Sequence, residues 1–344
     1  MYLNYKKTKY YYFMSQNKKI CVVGASGLVG SSIVRLALEK GYFVNGTLRD
    51  KSDISKVKYL TKLKNSHNLY LFDANMDNEK DFISPLQDTD AVFIACLTPT
   101  YKGKDGTPAK EMDDERGYSE IINPTVDGCL NIIKTAKYHN IKNVVICSST
   151  SSTNPVPPVK FKNEIDHWSD EKEQCRSKKY TSATKTVMEK AAIKYCEEND
   201  IRLSIILPTG LYGDPVLPIH LNHNPFIWLK RVIEGGNPRH EKIPNDSASM
   251  IHIRDLAKIF LAVYENPNAS GRYFGVYKSL HWYDIYNECG KLIPNMNMPI
   301  TFSDKPVEPT GFDFTRRDSL KVHIRDFSTT LKETINWLKT KPFE

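Results

Sequence analysis

The chain has 344 residues, with 48 Lys and Arg against 40 Asp and Glu, for a formal net charge of +8. With 40% hydrophobic residues and a mean hydropathy of -0.46, it can build a sizeable core. No run approaches the roughly 18 apolar residues that a membrane span requires. The basic residues are spread along the chain and mixed with acids. That pattern argues for a solvated surface rather than a nucleic-acid interface, with part of the excess free to meet an anionic cofactor. The cysteines at 21, 96, 129, 147, 175, 196 and 289 never form CxxC. Reduced thiols of a cytoplasmic protein are therefore expected, with no zinc site.

Residues 1–17 hold five tyrosines and three lysines but no long apolar stretch, and a flexible tail is expected there. The run Ile20–Val23 predicts a buried strand that stops at Gly24. Gly27 and Gly30 follow at three-residue steps, and an apolar-periodic segment continues to Lys40. Strand, tight glycine turn and helix together let backbone N–H groups approach a pyrophosphate, which then sits on the positive end of the helix. The position of the glycines between a buried-type strand and a helix is the context that confirms such a motif. Gly24, Ala25, Ser26, Gly27, Leu28, Val29 and Gly30 are thus candidate dinucleotide contacts.

Past a cap at Gly41, Tyr42–Leu48 predicts a second parallel strand with Arg49 at its carboxyl end. An acid at that place would take the 2′-hydroxyl of NAD, whereas an arginine suits the 2′-phosphate of NADP. Lys56 supplies a second cation and Asp50 opposes mildly, so NADP(H) is the expected cofactor. Asn68–Phe72 predicts a third strand, with Asp73 behind it at the adenine edge. Ala91–Cys96 predicts a fourth, leading to Thr98 beside the cofactor. The polar stretch Tyr101–Gly117 suggests a mobile loop over the cofactor. A helix is expected from Ser119 to His139, with Asn123 near its start. Val144–Cys147 predicts a fifth strand, opening into Ser148-Ser149. Asn154–Lys179 is rich in proline and charge and suggests a loop over the mouth of the site. A helix over Ala183–Glu198 and a sixth strand over Leu203–Leu207, ending at Pro208-Thr209-Gly210, complete the regular part.

Beyond Gly210, prolines at 215, 218, 225 and 238 interrupt the chain around an aromatic helix at Phe226–Glu234. Met250–Ile253 and the helix Leu256–Glu265 predict a return to the main domain, before helices at Trp282–Lys291 and Thr329–Lys339. Strands alternating with helices at this spacing imply an α/β, Rossmann-type doubly wound parallel sheet with a smaller C-terminal substrate lobe. The expected division is a dinucleotide-binding domain over 18–210, rejoined by 247–275, and a lobe made of 211–246 and 276–344. His220, His223 and His240 lack metal-ligand spacing and are expected to be loop histidines, so no metal is assigned. Glu164 and Asp166 suit a solvated loop. Tyr212, Phe226 and Trp228 either line a substrate pocket or pack the core of the lobe.

Several short motifs recur in a telling order: GASGLVG at 24–30, Arg49-Asp50 with Lys56, Asn123-Pro124-Thr125-Val126-Asp127-Gly128, Ser148-Ser149 and Trp168-Ser169-Asp170. Pro208-Thr209-Gly210, His252-Ile253-Arg254-Asp255 and Gly271-Arg272-Tyr273 follow. Together they resemble the extended short-chain dehydrogenase/reductase family, in its dihydroflavonol-reductase and cinnamoyl-CoA-reductase branch of the epimerase/dehydratase superfamily. The resemblance covers nearly the whole chain after Asn17. It implies hydride transfer between NADP(H) and a carbonyl, or secondary alcohol, of a small organic substrate. It also implies a serine at Ser149 that polarises the carbonyl, an asparagine at Asn123, and a lysine at Lys185 that binds the nicotinamide ribose. Pro208 would lie against the cofactor. The lysine also favours the phenolate of a tyrosine that donates the proton. A monomer or homodimer is expected.

The family pattern is Tyr-x-x-x-Lys, one helical turn that sets both side chains on one face. Four positions before Lys185 stands Thr181, and the tyrosine is Tyr180. Five steps place Tyr180 about 140° from Lys185 around a regular helix. Three readings follow. Tyr180 reaches the carbonyl through an irregular turn or bulge; or Ser149 works with water as proton source; or the protein binds NADP without turnover, as a sensor. A sugar-nucleotide epimerase or dehydratase shares the fold but usually carries an acid where Arg49 stands.

Overall fold

The apolar run that predicts the first strand forms β1 (Lys19–Val23), four of whose five residues are buried. In the computed structural model, which describes residues 18–97 and 100–344, β1 lies third from one edge of seven parallel strands. The others are β2 (Phe43–Leu48), β3 (Leu69–Asp73), β4 (Ala91–Ile94), β5 (Asn143–Cys147), β6 (Arg202–Pro208) and β7 (Gly271–Gly275). Their spatial order is β3-β2-β1-β4-β5-β6-β7. The chain therefore reverses direction across the sheet between β1 and β4, the switch point at which α/β sheets open a crevice beyond their carboxyl ends.

Parallel strands need crossovers, and those helices bury both faces of the sheet. Helix α1 (Leu28–Glu39) follows β1, α2 (Ile54–Leu60) follows β2, α3 (Asn123–Tyr138) precedes β5, and α4 (Tyr180–Glu198) precedes β6. Helix α5 (Phe226–Ile233) belongs to the lobe, and α6 (Ile253–Glu265) leads into β7. Side chains alternate along a strand, so Cys21 and Val23 pack with Ile132 and Ile133 of α3 and Ala183 and Met188 of α4. Ile20 and Val22 face the opposite way, against Ile33 and Val34 of α1 and Leu256 and Phe260 of α6.

The lobe is built from α5, α7 (Trp282–Leu292), α8 (Phe327–Lys339) and a three-stranded sheet of residues 210–212, 247–252 and 278–281. Tyr212 and Trp228 sit in its core with Tyr286 and Leu331. Phe226 is also buried. These aromatics are packing, not pocket lining.

Three expectations about the chain's course are corrected. Residues 247–252 do not join the main sheet; their half-polar pattern fits the small one, where they pair with 278–281 and 210–212. The return is made by α6 and β7, an edge strand bounded by glycines that no apolar pattern announced. Residues 101–117 are a packed segment rather than a free loop. They include turns at Ala109–Glu111 and Asp114–Arg116 and bury Ala109 and Met112, and Arg116 bonds Asp105 at 3.0 Å and Glu120 at 2.7 Å. Residues 154–179 contain a strand at Phe161–Lys162, paired with Gly311–Phe312, and a helix at Glu171–Arg176 capped by Asp170. Such short elements leave too few residues for a periodicity to register.

Candidate active site

The glycine turn fills the crevice at the switch point, and backbone contact dictates its composition. Gly24 has φ +87°, and a Cβ there would stand 2.8 Å from the Cα of Cys96, beyond the end of β4. At Gly30 a Cβ would fall 2.1 Å from the Gly24 carbonyl oxygen. The turn is fixed by N–H groups of Gly24 and Ala25 donating to the Thr47 carbonyl at 3.2 and 2.8 Å, and by Gly27 donating to Gly24 at 2.9 Å. No side chain caps α1 at Gly27. Its first N–H groups, those of Leu28 and Val29 among them, have no partner within the helix and sit at the positive end of its dipole. A cradle of this shape, with no room for a Cβ at Gly24 or Gly30 and lined with N–H donors, fits the pyrophosphate of a dinucleotide.

At the carboxyl end of β2 the charges sort themselves. Asp50 accepts from the Ser52 N–H at 2.8 Å and its hydroxyl at 2.6 Å. Lys56 pairs with Asp53 at 2.7 Å. Asp73 accepts from the Lys51 N–H at 2.5 Å and faces the Lys51 ammonium at 3.8 Å. Arg49 is exposed and makes no side-chain hydrogen bond or ion pair among the described residues. Of the two cations, Arg49 is the uncommitted one. Thr98 lies outside the described residues. Pro208 ends β6 in register with Gly275.

Helix α4 is regular from Tyr180 onward and presents Thr181 and Lys185 on one face. The Lys185 ammonium donates to the Leu97 carbonyl at 2.5 Å and the Thr181 hydroxyl to the Thr100 carbonyl at 2.8 Å. Both carbonyls belong to the segment that leaves β4 at the crevice. Lys185 is only 5% exposed. Burial pushes its pKa below the usual value. Burial likewise raises Cys96 to about 12 and Cys147 to about 11, so these thiols stay protonated. Ser149 heads the turn Thr150–Ser152 beyond β5, its hydroxyl accepting from the Ser151 N–H at 3.2 Å. Asn123 is the first residue of α3 and is exposed.

Tyr180 does not join this face. Its phenol donates to the Asp114 carboxylate at 2.6 Å, with the Met112 carbonyl at 3.3 Å, and receives the Lys178 ammonium at 3.1 Å. Its ring lies against Gly117, where a Cβ would come within 2.4 Å of it. Burial, followed by Asp114, holds the phenol above its usual pKa. The expectation of an irregular turn that swings Tyr180 to the carbonyl is thus corrected, because α4 has no bulge. The irregularity lies instead in the neighbouring segment, a π-turn over Gly117–Ile122 that packs beside Tyr180.

A buried network behind Ser149 was not foreseen. Glu189, one turn beyond Lys185, accepts from the Ser148 hydroxyl and pairs with Arg272 of β7 at 2.8 Å, both side chains nearly inaccessible. Arg272 also donates to the carbonyls of Glu164 and His167 at 2.8 and 3.2 Å and to the Ser152 hydroxyl at 3.0 Å. Its guanidinium lies 3.6 Å from the centre of the Trp168 ring. The reading of Glu164 as solvated is corrected: it is buried, and burial raises its carboxyl to about 7. The four-residue spacing of Lys185 and Glu189, which sets both on one helix face, was the one sequence signal for this pair. Among the described residues, no group of three or more His, Cys, Asp or Glu could hold a metal ion.

Residues 20–276 match the NAD dependent epimerase/dehydratase family. The chain belongs to that family. It is 31% identical over 331 residues to a cinnamoyl-CoA reductase of Medicago truncatula, a match covering 94% of this chain and 96% of that one. It is also 31% identical over 306 residues to a bifunctional dihydroflavonol 4-reductase/flavanone 4-reductase of Malus domestica, covering 87% and 83%. These relatives place it in the dihydroflavonol-reductase and cinnamoyl-CoA-reductase branch of the family. The fold matches vestitone reductase from alfalfa with a TM-score of 0.74 at 22% identity, over 95% of this chain and 99% of that one. It matches yeast methylglyoxal/isovaleraldehyde reductase Gre2, solved with NADPH, with a TM-score of 0.74 at 20% identity, over 94% and 99%. No described helix of this family member is long and apolar enough to cross a membrane.

Proposed function

We propose that the protein is an NADPH-dependent reductase that converts the carbonyl of a small organic compound to a secondary alcohol, or runs that reaction in reverse. The observation that carries this reading is the buried Lys185, held on the Leu97 carbonyl where β4 leaves the crevice, beyond the glycine cradle. When bound, the nicotinamide supplies the hydride. Leu28 and Val29 offer N–H groups to the pyrophosphate, and the free guanidinium of Arg49 takes the 2′-phosphate. Lys185 binds the ribose and keeps positive charge at the reacting end. The Ser149 hydroxyl donates a hydrogen bond to the carbonyl oxygen and steadies the alkoxide that forms as hydride arrives. With Thr181 offering no phenol, a solvent water protonates that alkoxide and the hydroxide left behind passes to bulk solvent.

A second reading, an NADP-binding protein without turnover, is favoured by one observation: the position that would carry a phenol beside Lys185 holds Thr181. One experiment separates the two. Nicotinamide absorbance is followed over a panel of aldehydes and ketones, beside fluorescence titrations with NADPH and NADH. The reductase reading predicts oxidation of NADPH with at least one carbonyl. Both readings predict that NADPH binds at least about tenfold more tightly than NADH and that Arg49→Ala erases this preference. Tight NADPH binding with no oxidation across the panel selects the second reading.

A further inference from the structure

The segment joining the small sheet to α5 runs along α1 and is fastened to that helix at one end and to the glycine turn before it at the other. At one end the Arg35 guanidinium of α1 donates to the Asp214 carbonyl at 3.0 Å and to its carboxylate at 3.1 Å. Arg254 clamps the same carboxylate at 2.9 Å. In the middle, Val216 and Leu217 are buried in the core that also holds Ile33, Val34 and Ala37 of α1. At the other end His220, only 2% exposed, places its Nε2 3.0 Å from the carbonyl oxygen of Ser26, inside the glycine turn.

The protonation of His220 follows from its two partners. The Leu217 N–H points at Nδ1, 3.3 Å away, so Nδ1 is the acceptor and Nε2 carries the hydrogen. Burial holds the imidazole down at about 4, and it is therefore neutral at physiological pH. The Ser26–Gly27 peptide is in this way tied on both edges. His220 holds its carbonyl, and its N–H donates to Gly24 at 2.9 Å. The N–H groups that follow directly are those of Leu28 and Val29.

We propose that His220 is a positioning residue for cofactor binding: by holding the Ser26 carbonyl, it aims the N–H groups of the glycine turn at the pyrophosphate and makes nucleotide affinity depend on the docked 214–220 strap. The inference rests on the proposed binding of NADPH. It adds a residue of the lobe, 194 positions away in the chain from the peptide that it orients.

The test is a fluorescence titration of the full chain with NADPH for the wild type, His220→Phe, His220→Gln and the exposed neighbour control His223→Ala. An unpartnered Ser26 carbonyl in His220→Phe is expected to weaken binding about tenfold. His220→Gln, whose amide N–H can replace Nε2–H, is expected to restore it to within about threefold, as a purely space-filling role would not. His223→Ala is expected to bind like the wild type. His220→Phe binding within twofold of the wild type, while the wild type binds NADPH, overturns the inference and leaves the proposed function standing. A wild type that binds neither nucleotide overturns both. Should His220→Phe fail to fold, the tautomer decides. Long-range ¹H–¹⁵N spectra of the wild type are expected to show Nε2 protonated, with its resonance shifting on addition of NADPH. An Nδ1–H tautomer, or an Nε2 signal indifferent to NADPH, overturns the inference.

Discussion

Thr181 and Tyr180 are neighbours at the start of α4, yet a step of 100° sends them to different surroundings. Thr181 faces the Thr100 carbonyl on the side of Lys185, while the Tyr180 phenol is spent on Asp114. A phenol introduced by Thr181→Tyr would stand on the Lys185 face, whose lysine favours proton release from it. Turnover of a carbonyl substrate by Thr181→Tyr is expected to rise about 100-fold, the lower end of what a placed general acid contributes. Tyr180→Phe is expected to leave turnover within about twofold. Steady-state NADPH oxidation by the two variants checks both outcomes, and a loss of activity in Tyr180→Phe would return the phenol to the reaction.

At the scale of elements, α4 and β7 are joined by a single buried ion pair, Glu189 with Arg272, which also anchors the Ser148–Ser152 turn and the Trp168 segment. Removing one partner strands the other charge in the core. Arg272→Met is expected to cost about 3–5 kcal/mol in urea unfolding, and Arg272→Met with Glu189→Met together much less. The pH dependence has a definite sign. Burial already raises the Glu189 pKa, and loss of Arg272 removes the chief influence that lowers it. The folded single variant then holds a proton that the unfolded chain releases. Its stability is expected to fall as pH rises from about 5 to about 8, a slope that the double variant lacks. Urea midpoints across that range measure it.

For the whole molecule, the cofactor crevice is bounded by β1, α1, the segment after β4 and the strap from the lobe, so ligand binding should stabilise all of it at once. NADPH at about 100 times its dissociation constant is expected to add about 2.7 kcal/mol and to raise the melting temperature by about 5 °C. NADH at the same concentration is expected to shift it less. A thermal melt of Trp168→Phe followed by tryptophan emission reads the lobe through Trp228, Trp282 and Trp337, which contribute to its core. A shift confined to far-UV circular dichroism would mean that lobe and sheet unfold separately.

What the amino-acid order determines here is local. β1 stops at Gly24 because Gly24 must take a positive φ, and Gly24 and Gly30 recur because their neighbours leave no room for a Cβ. The parallel sheet follows from strands that alternate with helices. The face of α4 shared by Thr181 and Lys185 follows from helical pitch alone. What only the tertiary structure decided is which distant groups meet. Arg272 and Glu189 are 83 residues apart, and His220 and Ser26 are 194 apart. No periodicity links such pairs. Their burial, which makes each partner indispensable to the other, exists only once the sheet, its helices and the lobe have closed around them.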